Sequence, residues 1–331
     1  MLITKPDYFD RFRCIAGSCP DSCCKEWDVQ VDEMSAEKYR SLPGDLGDRL
    51  REVLFTEDGE TVMTIIDGRC PMWCADGLCR IQAELGESAL CKTCREFPRL
   101  THDYGDFVEL GLELSCPEAA KYILNPHCPV MISAEATGGE EPEYDTEAME
   151  VLKATREQAL DLLFDSSRSI PESLALFLLY GYQAQSELDG EEPQPFQPEA
   201  ALESVREFAK PGTYEEMTDF FSGLELLTPD WAQLLQNPSP APWSDHHRAL
   251  AGYLAQRYWL QAVSDYDLYC RVKFIVISCL LVKHLGGDIF RTGQLFSKEI
   301  ENNIDNVEAI LDGAYAHPAF TDDKILGMLL Y

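Results

Sequence analysis

From residue 145 onward, apolar positions recur at helical spacing with few interruptions. Met149, Leu152, Ala159, Leu160 and Leu163 fall on one face of a helix expected over 145–166, with Asp145 and Thr146 as its start signals. Further helices are expected over 170–188, 197–209, 213–227, 244–264, 267–285, 294–312 and 321–330. Proline-rich breaks at Glu191-Glu-Pro-Gln-Pro195 and Asn237-Pro-Ser-Pro-Ala-Pro242 separate some of them. The first part of the chain patterns differently. Glu60-Thr-Val-Met-Thr-Ile-Ile66 and Phe107-Val-Glu-Leu-Gly-Leu-Glu-Leu114 alternate as strands do. Short helices are expected over 33–42, 78–86 and 117–124, the last opened by Pro117 in the favoured first turn. No repeat of fixed period is present. The expected fold is mainly α: a cysteine-rich α+β region with a few short strands over 1–132, an acidic linker or loop over 133–144, and an all-helical domain over 145–331. The linker, Ser133-Ala-Glu-Ala-Thr-Gly-Gly-Glu-Glu-Pro-Glu-Tyr144, lacks periodicity and carries adjacent glycines.

Composition adds a compartment and excludes some partners. At 331 residues and 45% hydrophobic content, a sizeable core can be buried. Charge is far out of balance, with 27 Lys+Arg against 58 Asp+Glu, a net −31. Both regions are acidic, so phosphate backbones and anionic membranes are repelled and a basic protein partner is attracted. Solvated helix faces alone also produce such a charge. The N-terminus, Met1-Leu-Ile-Thr-Lys-Pro6, lacks the apolar segment of an export signal. The longest apolar run, Phe274-Ile-Val-Ile-Ser-Cys-Leu-Leu-Val282, is far short of the ~20 residues a membrane crossing needs and is expected to be a buried helix. A cytoplasmic location, with reduced thiols, is therefore expected.

Eleven of the 13 cysteines lie before residue 130. They form Cys14-x4-Cys19-x3-Cys23-Cys24, then Cys70-x3-Cys74-x4-Cys79, then Cys91-x2-Cys94, and finally Cys116 and Cys128. Disulfides are disfavoured by the compartment, and core cysteines would not gather among Gly, Pro, Asp and Ser. Loop thiolates folded around a metal or cluster account for the pattern, and soft sulfur suits zinc or an iron–sulfur cluster. Only Cys91-x2-Cys94 has the short spacing of a zinc half-site, and the region holds only two histidines, His102 and His127. Spacing alone leaves one [4Fe–4S] cluster or up to two zinc ions open. The Cys-x3-Cys-x2-Cys arrangement of radical chemistry is absent: Glu26 and Gly77 stand where the third cysteine would be.

Four blocks together resemble the flagellin lysine N-methylase family, within the wider group of cysteine-rich zinc- or iron-chelating proteins. They are Phe12-Arg-Cys-Ile-Ala-Gly-Ser-Cys-Pro-Asp-Ser-Cys-Cys-Lys-Glu-Trp-Asp-Val-Gln-Val-Asp32, Gly68-Arg-Cys-Pro…Gly77-Leu-Cys-Arg-Ile-Gln82, Leu90-Cys-Lys-Thr-Cys-Arg-Glu-Phe-Pro-Arg99 and Glu113-Leu-Ser-Cys-Pro-Glu-Ala-Ala120. The resemblance covers residues 7–124 and implies a cytoplasmic enzyme that moves methyl groups from S-adenosylmethionine to lysine ε-amines of flagellin and carries an iron–sulfur cluster. Carried over by position, it implies Cys14, Cys19, Cys23, Cys24, Cys70, Cys79, Cys91, Cys94 and Cys116 as the metal or cluster cysteines, more than one four-iron cluster needs. Cys74 and Cys128 stand outside it and are expected not to ligate. The other expectation compatible with the thiols is a non-catalytic metal-binding scaffold or metal-handling protein.

Methyl transfer to lysine requires amine deprotonation, an in-line donor and exclusion of water. Trp27 and Asp28, just past the cysteine pair, offer an aromatic wall for cations and a carboxylate, and are the catalytic candidates. Trp73, Asp32, Tyr39 and Tyr104 are further candidates. The plainer and favoured alternative is that Trp27 packs a cluster shell while Asp28 caps or pairs with an arginine. No glycine-rich strand–turn–helix, P-loop, Gly-x-Ser-x-Gly or His-Glu-x-x-His occurs, so a donor would bind outside the Rossmann methyltransferase fold, in a cleft between the cysteine-rich and helical regions. His246-His247 is not expected to be a metal pair, because adjacent helical positions diverge.

Overall fold

In a computed structural model, residues 1–21, 23, 29–57 and 59–331 are described. Among these residues seven strands form two sheets. Strands β1 (Leu2–Pro6), β5 (Arg99–Asp103), β6 (Phe107–Leu112) and β7 (Met131–Glu135) make one, in the order β5-β6-β1-β7. Strand β1 runs parallel to β6, with Leu2 opposite Phe107, and antiparallel to β7, with Leu2 opposite Glu135. The small second sheet holds β2 (Val29–Gln30), β4 (Glu60–Met63) and β3 (Leu54–Glu57), in that order. The expected strands at 60–66 and 107–114 appear as β4 and β6. The first three residues of the stretch expected to be a loop, from Ser133, belong to β7, where β1 supplies their partners.

The short helices of this part are α1 (Glu33–Ser41), α2 (Gly44–Val53), α3 (Arg80–Leu85), α4 (Lys92–Glu96) and α5 (Pro117–Ile123). Asp32 caps α1 by accepting from Ser35 N, and its second oxygen accepts from Lys92 N at 2.8 Å, tying the start of α1 to the start of α4.

Ten helices follow: α6 (Thr146–Phe164), α7 (Ile170–Leu188), α8 (Pro198–Phe208), α9 (Tyr214–Ser222), α10 (Pro229–Gln236), α11 (Asp245–Tyr258), α12 (Leu268–Leu285), α13 (Ile289–Phe296), α14 (Ile304–Ala316) and α15 (Asp322–Leu330). Helix α12 is apolar on all sides and packs against α7, α11 and α14, which makes it the buried helix its sequence promised. Among the described residues no helix is long and apolar enough to cross a membrane.

One expected helix is divided, and another is cut short and followed by a helix that was not expected. In place of 294–312 the chain forms α13, a π turn over Ser297–Glu301 and then α14, because Asn303 caps a new start by accepting from Asn306 N. In place of 213–227 it stops at Ser222 and restarts at α10, where Thr228 accepts from Trp231 N and Pro229 occupies the first turn.

The hydrophobic cores do not divide where the cysteine pattern does. The larger core joins Phe12, Phe107, Leu112, Leu114 and Cys116 to the helices. The smaller one gathers Val29, Tyr39, Leu50, Met63, Cys70, Met72 and Cys91 from within the cysteine-rich part. The four-stranded sheet is thus a platform for the helical region, while residues 29–91 fold around a core of their own.

Candidate functional site

The cysteines sort into the same two places. Cys70 and Cys91 are buried in the smaller core, and Cys79 and Cys94 pack against it. Tyr39, fully buried, stands beside them: burial pushes its phenol far above the usual range, and Cys91, Cys94 and Cys79 push it further. The Tyr39 hydroxyl donates to Ala89 O at 2.7 Å, which holds the chain just before Cys91. Cys91 immediately precedes α4 and Cys94 lies in its first turn. The Cys91 thiol is lowered to about 7 by a hydrogen bond from the Cys94 side chain, against the opposing effect of burial. Strand β2 brackets this pair, since Thr93 Oγ1 donates to Gln30 O at 2.8 Å.

The second group is Cys14, Cys19 and Cys116. Cys116 is buried just before α5, and its thiol is pushed up to about 11, first by burial and then by the neighbouring Cys19 and Cys14. Burial raises Cys19 as well, and Cys14 adds to it. Cys23 is exposed. Cys24, Trp27 and Asp28 lie outside the described residues.

The loop between Cys19 and Cys23 is held by a residue that sequence reasoning passed over. The carboxylate of Asp21, 8% exposed, accepts from Arg291 Nη1 at 3.0 Å, Gln294 Nε2 at 2.7 Å and Lys298 Nζ at 2.9 Å. Gln294 Nε2 also donates to Ser115 O at 3.0 Å, so one side chain fastens the first cysteine block and the residue before Cys116 to the same helix. Nothing local marked these partners, which stand about 270 positions away from Asp21.

Thiols suit a soft metal centre, and the Cys70, Cys79, Cys91 and Cys94 set gathers that chemistry in one small core. Among the described residues, however, no three His, Cys, Asp or Glu side chains are already arranged to hold a metal ion.

Between the four-stranded sheet and α11 lies a small cleft of about 50 Å³, below the usual size of small-molecule sites. Its apolar wall includes Leu100, Leu110, Leu112 and Met131 from the sheet and Ile123 from α5. Ala249, Gly252, Tyr253, Gln256 and Arg257 face it from α11, and their spacing puts them on one helical stripe. A Cβ at Gly252 would stand 2.8 Å from the far edge of the Phe164 ring, so a larger residue there would push that ring aside.

The polar end of the cleft is densely bonded. Arg257 donates to Tyr253 Oη at 2.9 Å and pairs with Glu301 of the π turn at 3.3 Å. Tyr253 and Tyr258 donate to the same buried carboxylate at 3.1 and 3.3 Å. Arg156 grips Glu109 through two bonds of 2.8 and 2.5 Å. Burial, then Arg257, lowers the His102 imidazole, so that it is neutral near neutral pH. Burial also raises the Glu113 carboxyl, with Arg257 opposing. One polar atom is left over: Gln256 Oε1 is buried without a hydrogen-bond partner.

The remaining sequence candidates have structural surroundings. Asp32 is a helix cap, Tyr104 stacks on Phe107 at 4.6 Å, and the Trp73 ring is covered by Arg69 at 3.9 Å. His246 is bonded to Leu124 O at 2.6 Å, and His247 caps α11 with Ser244. Cys74 is half-buried within a turn, where its N–H donates to Leu78 O, and Cys128 is exposed.

Three curated relatives are similar to this chain. A protein named lysine-N-methylase from Salmonella typhimurium is 35% identical over 132 residues, 38% of this chain and 33% of that one. The flagellar biosynthetic protein FliU of Salmonella muenchen is 34% identical over 132 residues, 38% of this chain and 78% of that protein. A lysine-N-methylase of Salmonella choleraesuis is 34% identical, again over 33% of its own length. The chain therefore spans about a third of the two relatives named for methylation. No protein-family profile and no solved structure matches.

Proposed function

This chain belongs to the flagellin lysine N-methylase family, and from that premise we propose that it methylates lysine ε-amines of a protein substrate, with S-adenosylmethionine as donor and flagellin as the substrate to test first. The observation that carries the proposal is the 35% identity, over 132 residues, to a relative named for lysine N-methylation. The 34% identity to a relative named for flagellar biosynthesis supports flagellin.

The reaction is a displacement. The amine nitrogen forms a bond to the methyl carbon, the carbon–sulfur bond breaks with its electron pair left on sulfur, and a proton leaves the nitrogen for a base or water. Lysine is protonated near neutral pH, so the site must desolvate or deprotonate it. The buried carboxyl groups and tyrosines beside the cleft are the groups of this chain suited to that work, and the acidic surface favours a lysine-bearing partner.

We further propose an iron–sulfur cluster, with Cys70, Cys79, Cys91 and Cys94 as its holders. Their gathering in one small core and the lowered Cys91 thiol support this choice. When bound, the cluster would cross-link the loops that carry these residues.

Labelled S-adenosylmethionine with purified flagellin tests the activity. Label on lysine is the expected outcome, and no transfer by anaerobically purified, metal-replete protein would sink the proposal.

A further inference from the structure

Strand β7 is an outer strand of the four-stranded sheet, and among the described residues no further strand pairs with its far edge. The pairing with β1 fixes which backbone groups stand there. Asp7 N–H donates to Val130 O at 2.9 Å, and Ala136 N–H donates to Met1 O at 3.0 Å. Val130, Ile132, Ala134 and Ala136 therefore turn their backbone groups toward β1. Backbone direction alternates along a strand, so Met131, Ser133 and Glu135 turn their N–H and C=O groups outward.

The side chains leave this edge unguarded. Val130 is 67% exposed and Ile132 46%, and with the exposed Ala134 they form an apolar stripe at the strand's period of two. The strand itself carries no lysine or proline, the residues that commonly blunt an open edge. Charge then selects what can pair with it. Glu135, Glu140, Glu141 and Glu143 are exposed, and no lysine or arginine occurs between Lys121 and Lys153. Glu140 N–H donates to Gly105 O at 3.0 Å, which brings the acidic stretch back across the end of the sheet, beside the exposed Asp103 and Asp106. Lys5 of β1 is paired with Asp10 at 2.7 Å. A second copy of the chain would set like charges against these carboxylates, whereas a cationic strand is attracted to them.

We propose that the open edge of β7 takes up an extended, lysine-bearing segment of a protein partner as a fifth strand. The outward backbone groups of Met131, Ser133 and Glu135 hold it, the apolar stripe packs its alternate side chains, and the carboxylates attract its lysines. The choice of partner rests on the lysine-bearing substrate proposed above, and the inference adds where that substrate docks.

The test is titration of the full chain with a fluorescent, end-blocked peptide of alternating threonine and lysine, with a threonine–glutamate peptide as control. Ser133→Pro removes an outward N–H and leaves the bonds to β1, a position where an edge strand tolerates proline. Ser133→Ala keeps the N–H and loses only the hydroxyl contact with Thr4 at 3.0 Å. Ala134→Lys leaves the backbone unaltered and sets a cation on the exposed stripe, opposite Ile3. Wild type and Ser133→Ala are expected to bind the lysine peptide and not the glutamate peptide. Ser133→Pro and Ala134→Lys should each weaken binding about tenfold or more. Amide exchange at Met131, Ser133 and Glu135 should slow when the peptide binds. No binding by wild type, equal binding by all variants, or a wild-type dimer that Ser133→Pro dissolves overturns the proposal. Labelled methyl transfer to flagellin separates the two claims. Transfer by Ser133→Pro equal to that of wild type removes only the docking edge. Variant-sensitive peptide binding without transfer by wild type keeps the edge and removes the methylation reading.

Discussion

The Asp21 carboxylate lies 2.9 Å from the Lys298 ammonium, across 277 positions of sequence. With Arg291 and Gln294 on the same oxygen, it makes the first cysteine loop part of the helical region's surface rather than a free arm. Asp21→Ala leaves Gln294 Nε2 with only Ser115 O and removes a buried counter-charge from Lys298. The expected loss is about 2 kcal/mol of stability, together with faster amide exchange over 14–21. Exchange monitored by mass spectrometry checks it, and unchanged protection of that segment would refute the anchoring role.

The thiol grouping makes a contrast testable in one preparation. Anaerobically purified wild type is expected to carry iron and sulfide, with a broad absorbance near roughly 400 nm. Cys91→Ser should lose most of it. Cys128→Ser, at an exposed position away from the small core, should retain it. Metal analysis with acid-labile sulfide gives the answer, and a colourless protein loaded only with zinc would favour the scaffold alternative.

His247 makes stability depend on pH. Its side chain lies against Trp243 at 5.1 Å and accepts from Ser244 N at 3.1 Å, and burial lowers its pKa to about 4. The folded value lies below the unfolded value of about 6.5. Its contribution is therefore complete above roughly pH 6.5 and falls away as pH drops toward about 4. Between pH 7.5 and 5.0 wild type should lose about 2 kcal/mol that His247→Gln does not lose. Urea unfolding at the two pH values measures the difference, and equal losses would contradict it.

Gly181 sets the approach of α7 to α12. A Cβ there would stand 2.5 Å from Val272 Cγ1 and 2.8 Å from Cγ2. Valine has no rotamer that withdraws both methyls from a helix face. Gly181→Ala should cost about 2 kcal/mol, and Val272→Ala in the same chain should restore part of it. A thermal-melt double-mutant cycle tests the coupling, and simple additivity would show that the helices have room to separate.

Much of the helical region was legible because helical periodicity is local. The span 170–188 coincides with α7, and the apolar run at Phe274 lies inside a helix buried on every side. Polar caps restart the chain where periodicity did not show it: Asn303 divided the helix expected over 294–312, and Thr228 opens a helix that was not expected. The strands were less legible. Strand β1 carries a lysine and a proline and becomes a strand because β6 and β7 lie on either side of it.

The candidate site was legible only in its ingredients. Residue type determines that the clustered cysteines carry sulfur suited to a soft metal, and four ordered blocks determine the family. Tertiary structure alone decides that Cys70, Cys79, Cys91 and Cys94 share one core while Cys14, Cys19 and Cys116 gather at another. It also decides that His102 of the sheet and Gln256 of α11 line one small cleft. The physical reason is that spacing records which residues are neighbours along one element. Burial, ion pairing and cleft formation depend on elements brought together from more than a hundred residues apart, as Asp21 and Lys298 are.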